Sequence, residues 1–234
     1  MQVSIVVPAY NEERYIRGCL EALIDQEHPG FDFEIVVVDG RSTDRTREIA
    51  RKYGARVLVQ SRRGIAEARQ LGFESARGAV IASTDADSIV PRDWLARLVG
   101  ELYGDPDTVG VYGPIRLYDG KEYEDLFSYY VAGTYLWLNA AIKKPAFSGQ
   151  NFAVKREAWK AVGGFDIYWV SAEDLNLSLK LSDVGRVKFC WDIIVYTSAR
   201  RTREGYKNVL RHHISNYVRV TWLKRPPLPF KDIR

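Results

Sequence analysis

The sequence predicts an α/β fold, a Rossmann-like, mostly parallel sheet flanked by helices, and two observations carry that reading. Short apolar runs rich in β-branched residues alternate with amphipathic stretches of helical length, and three of those runs end in polar clusters. Val3 to Val7 precedes an amphipathic stretch near residues 12 to 26, and Phe33 to Val38 precedes one near 44 to 53. Arg56 to Val59 leads to a third stretch near 64 to 77, and Ala79 to Ser83 to a fourth near 92 to 103. Strand, helix and strand in repetition is the unit from which parallel sheets are built. Ligands of such sheets collect at the carboxyl ends of strands. The clusters there are Pro8-Ala9-Tyr10-Asn11, Asp39-Gly40-Arg41-Ser42 and Thr84-Asp85-Ala86-Asp87, so a site is expected where they converge.

The 234 residues, 46% hydrophobic and 27% charged, suffice to bury the core of one large domain. Cys19 and Cys190 lie far apart and indicate buried thiols in a reducing compartment rather than a disulfide framework. The opening MQVSIVVPAYNEE lacks a basic leader and reads as a mature, cytoplasmic start. Charge is unevenly spread: residues 196 to 234 hold ten Lys and Arg against Glu204 and Asp232, or +8, which leaves −4 elsewhere. Leu126 to Ile142 is apolar and aromatic but falls short of the roughly 18 residues a membrane span needs.

Past residue 110 the alternation loosens. Gly113-Pro114, Ser148-Gly149-Gln150-Asn151 and Gly163-Gly164-Phe165-Asp166 mark turns around a long aromatic helix. No repeat or low-complexity segment is visible.

Neither G-x-G-x-x-G nor G-x-x-x-x-G-K-[ST] occurs, so phosphates have no glycine-rich cradle and must be held otherwise. Mg²⁺ and Mn²⁺ serve that purpose, taking one or two carboxylates, waters and diphosphate oxygens. Asp85 and Asp87 at a strand end suit such an ion; the competing reading is that Asp87 or Ser88 caps the helix opened by Pro91.

The ordered set VVPAYNEE (6 to 13), EIVVVDGRSTDRT (34 to 46), GIAEARQLG (64 to 72), DAD (85 to 87), SGQNFAVKREAWKAVGGFD (148 to 166) and AEDLNLSLKL (172 to 181) resembles family 2 glycosyltransferases of the GT-A fold. The likeness spans about 190 residues. It implies an inverting transfer of a hexose from a nucleoside diphosphate sugar, with Mn²⁺ or Mg²⁺. Residues 1–202 form the catalytic domain, 1–110 its nucleotide-sugar half and 111–202 its acceptor half, while 203–234 add a basic amphipathic helix and a Pro-rich tail. Pro8, Ala9, Tyr10 and Glu12 would border the nucleoside, and Asp39 would hydrogen-bond the base. Asp87 would hold metal and diphosphate, with Ala86 beside it and Asp85 nearer the ribose or reaching the metal through water. Some lipid-phosphate mannosyltransferases of the family carry a third metal ligand two residues after the second Asp; Ile89 stands there, so that ligand is unassigned. GDP-mannose is favoured over UDP-sugars on the same likeness, with a glycan or lipid-phosphate as acceptor.

Glu173-Asp174 resembles the acidic pair that supplies the inverting base, and Asp174 is the choice. Ser171-x-x-Asp174 also matches a capping box, and a helix N-terminus would keep the carboxylate ionised and only weakly basic. Asn11 reads as the cap of the first helix, with Glu12 and Glu13 in its opening turn. Arg200 or Arg201, after the expected strand Ile193 to Tyr196, would meet the leaving diphosphate, with Arg63 and Arg116 as weaker candidates. His212 and His213 read as packing or solvent residues rather than metal ligands.

The tail from Tyr206 to Trp222 reads as amphipathic, with Tyr206, Leu210, Ile214, Tyr217 and Thr221 on one face and Lys207, Arg211, Ser215 and Arg219 on another. With Trp222, Lys224 and Arg225 following, it suits an anionic membrane surface, peripheral at the cytoplasmic face, with a linker into a membrane domain and a core-packed helix with a solvated basic face as competing readings; no nucleic acid partner is expected. Two other classes compete. A sugar-phosphate nucleotidyltransferase would share the sheet and carboxylates but lacks its early Gly-rich, Arg-containing loop, and a non-catalytic module binding membrane or nucleic acid leaves the carboxylates unexplained.

Overall fold

The computed structural model describes residues 1–27, 30–200 and 206–229, with side chains placed from residue 211 onward in the last segment. Gln2–Ala9 forms β1, buried from Val3 to Ala9, as the middle of a parallel sheet requires. Side chains alternate across it. Ile5 and Val7 meet Leu20 and Leu23 of α1 (Ile16–Ile24) and Trp94 and Leu98 of α4 (Trp94–Gly104). On the other face Val6 belongs to a core cluster that includes Phe73 of α3 (Ile65–Ser75) and extends across the sheet to Leu177 and Leu181 of α8 (Glu173–Ser182). Each such side chain contributes roughly 1.5–3 kcal/mol on burial.

Strand β1 pairs in parallel with β2 (Asp32–Asp39) on one side and β4 (Val80–Ser83) on the other. β3 (Arg56–Val59) lies outside β2, with α2 (Thr46–Lys52) between them in the chain. The register sets Ala9 opposite Asp39, and β4 stops at Ser83 opposite Val6 before handing over to Thr84–Asp87. Three polar strand ends thereby open at one edge.

Beyond β4 the sheet becomes mixed. β8 (Phe152–Lys155) runs antiparallel to β4 and to β6 (Thr108–Tyr112), and β9 (Arg186–Phe189) runs parallel to β6. Among the described residues this makes a seven-stranded sheet in the order β3-β2-β1-β4-β8-β6-β9. A smaller sheet joins β5 (Ser88–Ile89), β10 (Val195–Thr197) and β7 (Ile115–Leu117). Thr197 pairs with Ser88, which delivers the residues after β10 to Asp87.

Asn151 locks the two sheets together. Its side chain donates to the carbonyls of Pro114 (2.9 Å) and Ile193 (2.7 Å) and accepts from Trp94 Nε1 (3.0 Å), all without solvent access.

Several local expectations are corrected. Helix α1 starts at Ile16, because Glu12 O accepts from the amides of both Tyr15 and Ile16 (2.9 Å each) and closes a separate turn first. Asn11 does not cap it: its backbone is left-handed (φ 53°), and its Oδ1 accepts from Thr43 N at 2.9 Å, tying the loops after β1 and β2. The aromatic helix is three pieces, α5 (Glu122–Leu126), a π-helical stretch (Phe127–Ala132) and α6 (Gly133–Ala141). The strand expected at Ile193 to Tyr196 is Val195–Thr197. In the tail, α9 (Tyr206–Tyr217) continues as a π-helical turn (Val218–Trp222). Its inward residues are Asn216, Tyr217, Val220 and Thr221, and Ile214 faces out.

Replacing Asn151 by Ala strands two carbonyls and an indole N–H in the interior. Urea denaturation should show Asn151→Ala less stable by on the order of 3 kcal/mol; a loss below about 0.5 kcal/mol would contradict the clamp.

Candidate active site

The three strand ends bring together a cluster of acids and arginines. Pro8 and Ala9 are buried at the end of β1, and the half-buried Tyr10 follows with the Arg63 guanidinium 3.9 Å over its ring. Asp39 is fully buried; its Oδ2 accepts from Ser42 N (3.0 Å) and lies 3.6 Å from Arg47 Nε. Its Oδ1 is buried with no hydrogen-bond partner. An unpaired buried acceptor beside an aromatic ring is suited to the N–H edge of a nucleobase.

Asp85 and Asp87 flank the buried Ala86 and are held by different cations. Arg200 Nε lies 2.9 Å from Asp87 Oδ2, and the same guanidinium donates to both oxygens of Glu12 at 2.7 Å while lying over the Tyr15 ring. Burial works against charge on Arg200, but Glu12 and Asp87 outweigh it and raise its pKa. Glu12, expected at the nucleoside border, is thereby engaged by Arg200. The Arg200 loop is fixed by Asp119, which accepts from Ser198 Oγ (2.9 Å) and from Ala199 N.

Arg69 holds Asp85. Its Nη2 donates to Asp85 Oδ1 at 2.9 Å, and its Nη1 donates to Glu173 Oε1. Burial disfavours its charge, but Glu173, Asp85 and Asp174 together raise its pKa. The guanidinium runs so close to Gly149 that a Cβ there would lie 2.3 Å from Nη2 and would force the guanidinium to shift.

Asp174 follows Glu173 in the first turn of α8, accepting from Leu175 N at 2.8 Å. The capping box is absent: the residue before the helix is Ala172, left-handed at φ 53°, and Ser171 turns its hydroxyl to Leu228 O. Burial first, and then the neighbouring Glu173 charge, push Asp174 up to about 7, against the pull of Arg69. The helix N-terminus does not keep it weakly basic, because loss of water and a like charge prevail.

Ion pairs thus bring Glu12, Asp87 and Arg200 together, and Arg69 joins Asp85 to Glu173, the neighbour of Asp174; Pro8, Ala9, Tyr10, Asp39 and Ala86 lie at the adjoining strand ends. Arg201 lies outside the described residues. Arg116 serves elsewhere, forked onto Asp125. Ile89, half exposed, is tied into β5 opposite Tyr196. Arg69 and Asp119 are the functional candidates sequence reading passed over. The signal for Arg69 was its place on the buried stripe of α3 with Ala66 and Phe73.

The family model for glycosyl transferase family 2 matches residues 4–163. The chain belongs to glycosyl transferase family 2. Among family relatives, the glycosyltransferase AglE of Haloferax volcanii is 29% identical over 218 residues, 89% of this chain and 71% of that protein. Others are larger: the chain spans 47% of probable glycosyltransferase YdaM of Bacillus subtilis and 24% of chondroitin synthase of Pasteurella multocida. Of solved structures, the mannosyltransferase PcManGT of Pyrobaculum calidifontis, in complex with GDP-Man and Mn²⁺, superposes with a TM-score of 0.76 at 25% identity, covering 97% of this chain and 65% of that one. S. aureus TarS superposes at 0.71 and 21% identity, over 96% and 73%, and shares the GT-A fold. Family 2 membership leaves the nucleotidyltransferase reading without support.

A carboxylic acid whose pKa is raised on folding destabilises the fold wherever it is ionised. Its contribution is best below about pH 4 and is lost as pH rises to about 7. Asp174→Asn should consequently be more stable than the wild type at pH 8, with the gap closing towards pH 4, as followed by thermal unfolding. A gap independent of pH would contradict the raised pKa.

Proposed function

We propose that this family 2 chain is an inverting, metal-dependent hexosyltransferase that uses GDP-mannose in preference to UDP-sugars and delivers the sugar to a lipid-linked acceptor. The observation that carries it is the carboxylate pair Asp85 and Asp87 at the end of β4, ringed by Arg69 and Arg200 and set beside the unpaired oxygen of Asp39. GDP-mannose is favoured because the PcManGT structure, which contains GDP-Man and Mn²⁺, covers nearly all of this chain.

Asp39 Oδ1 takes an N–H of the base, and Tyr10 supplies an apolar face. Hard carboxylate oxygens fit Mg²⁺ or Mn²⁺, and Asp87 with Asp85 would hold the ion; the nearby Cys19 thiol is buried, and burial together with the Asp87 and Asp85 charges keeps it protonated. When bound, such an ion neutralises diphosphate charge and stabilises the leaving group. Arg200, now shared by Glu12 and Asp87, adds a second positive charge for the diphosphate. Asp174 accepts the proton of the acceptor hydroxyl as its oxygen attacks the anomeric carbon from the side opposite the diphosphate. One bond forms, the bond to the diphosphate breaks, and configuration inverts. A base at about 7 is matched to neutral operation, whereas Glu173 is committed to Arg69.

Thermal shift and calorimetry with GDP and UDP, each with and without Mn²⁺, test the reading. GDP with Mn²⁺ should bind at least about tenfold tighter than UDP, and Asp87→Ala should lose about 2–3 kcal/mol of that binding. Equal binding without metal would overturn it.

A further inference from the structure

The strongest unassigned feature is an apolar, acid-free face made by two neighbouring helices. Tyr130, Val131, Trp137, Leu138 and Ile142 are 47 to 60% exposed along the π-helical stretch, α6 and the residue after it. On the tail, Ile214, Val218, Trp222 and Leu223 are 40 to 57% exposed. The first three repeat every four residues and form one outward stripe. The helices touch through Tyr217, whose ring meets Tyr135 edge-on at 5.2 Å and whose hydroxyl donates to Asn139 Oδ1. Two adjoining helices thus both turn aromatic and aliphatic side chains to solvent, an arrangement that marks an interaction surface.

The charges around it say what it meets. Neither Phe127 to Asn151 nor Tyr206 to Pro229 contains an Asp or Glu, while Lys143, Arg211, Lys224 and Arg225 are exposed at the borders of the stripes. No described helix is long and apolar enough to cross a membrane. Trp and Tyr over an apolar strip with a cationic rim is the chemistry of a surface lying in the headgroup layer of an anionic bilayer. We infer that this two-helix face docks the chain on an anionic lipid surface.

Its position gives the docking a purpose. Asn216 donates to Ser171 Oγ (3.1 Å) and Leu228 O (3.0 Å) and accepts from Leu228 N (2.7 Å), fastening the tail just ahead of α8. Tyr217 and Val220 pack with Leu175, the residue after Asp174. The face therefore adjoins the helix that carries the acid pair, and a bilayer beneath it presents a lipid-borne acceptor beside Asp174. That last link rests on the glycosyl-transfer reading above; binding to lipid does not, so vesicle binding and Mn²⁺-dependent GDP binding can fail separately.

Co-sedimentation of the full chain with vesicles of phosphatidylcholine alone, or of phosphatidylcholine with phosphatidylglycerol, tests the inference. The anionic vesicles should bind at least about tenfold more tightly. Trp137→Ser with Trp222→Ser, and separately Lys224→Glu with Arg225→Glu, should each remove most of that binding, whereas Val184→Ser, an exposed apolar position elsewhere, should not. Binding that is absent, or equal for both vesicle types, or unmoved by both double variants would overturn it. So would light scattering that shows a wild-type dimer turned monomeric by the tryptophan variants.

Discussion

One buried guanidinium, that of Arg69, joins the two halves of the cleft. It ties Asp85, just past the end of β4, to Glu173, at the start of α8. Isolated charges do not survive such burial, and removing one partner of a buried pair costs about 3–5 kcal/mol because the other is left uncompensated. The path of the 148–151 loop follows from the same constraint, since Gly149 must leave room for the guanidinium. Burial and the neighbouring Glu173 charge still raise Asp174 to about 7, against the pull of Arg69.

Arg200 does a related thing on the opposite wall. It sits between Glu12 and Asp87, so the carboxylate proposed to hold a divalent ion is neutralised by a cation of the chain itself. Its place is set by the pairing of β5 with β10 and by Asp119, on the loop after β7. The metal and diphosphate proposed for this site would therefore meet Arg200 at one small set of oxygens.

Strands β1, β2 and β4 were legible because burial on both faces demands continuous β-branched runs, and the site was legible because polar residues at strand ends have few structural uses. Arg69 was not, because an arginine in an Ala-rich helix reads as solvated until its place on the buried stripe is weighed. Asp119 was hidden for another reason: its partners are some eighty residues away in sequence. The tail face was misassigned at Ile214 because a polar residue, Asn216, takes the inward position, and its hydrogen bonds to Ser171 and Leu228 cannot be read from periodicity. Asn11 reads as a cap, and Ser171 matches a competing capping box, because their side chains suit that role, but tertiary partners claim both.

Carbon-13 NMR titration of the side-chain carboxyls tests the Arg69 linkage most directly. In the wild type one carboxyl, absent from Asp174→Asn, should titrate at about 7. In Arg69→Met that resonance should titrate at higher pH, because the cation that opposes Glu173 is gone. An Asp174 resonance unmoved by Arg69→Met, or titrating in the ordinary carboxylate range in both proteins, would contradict the account.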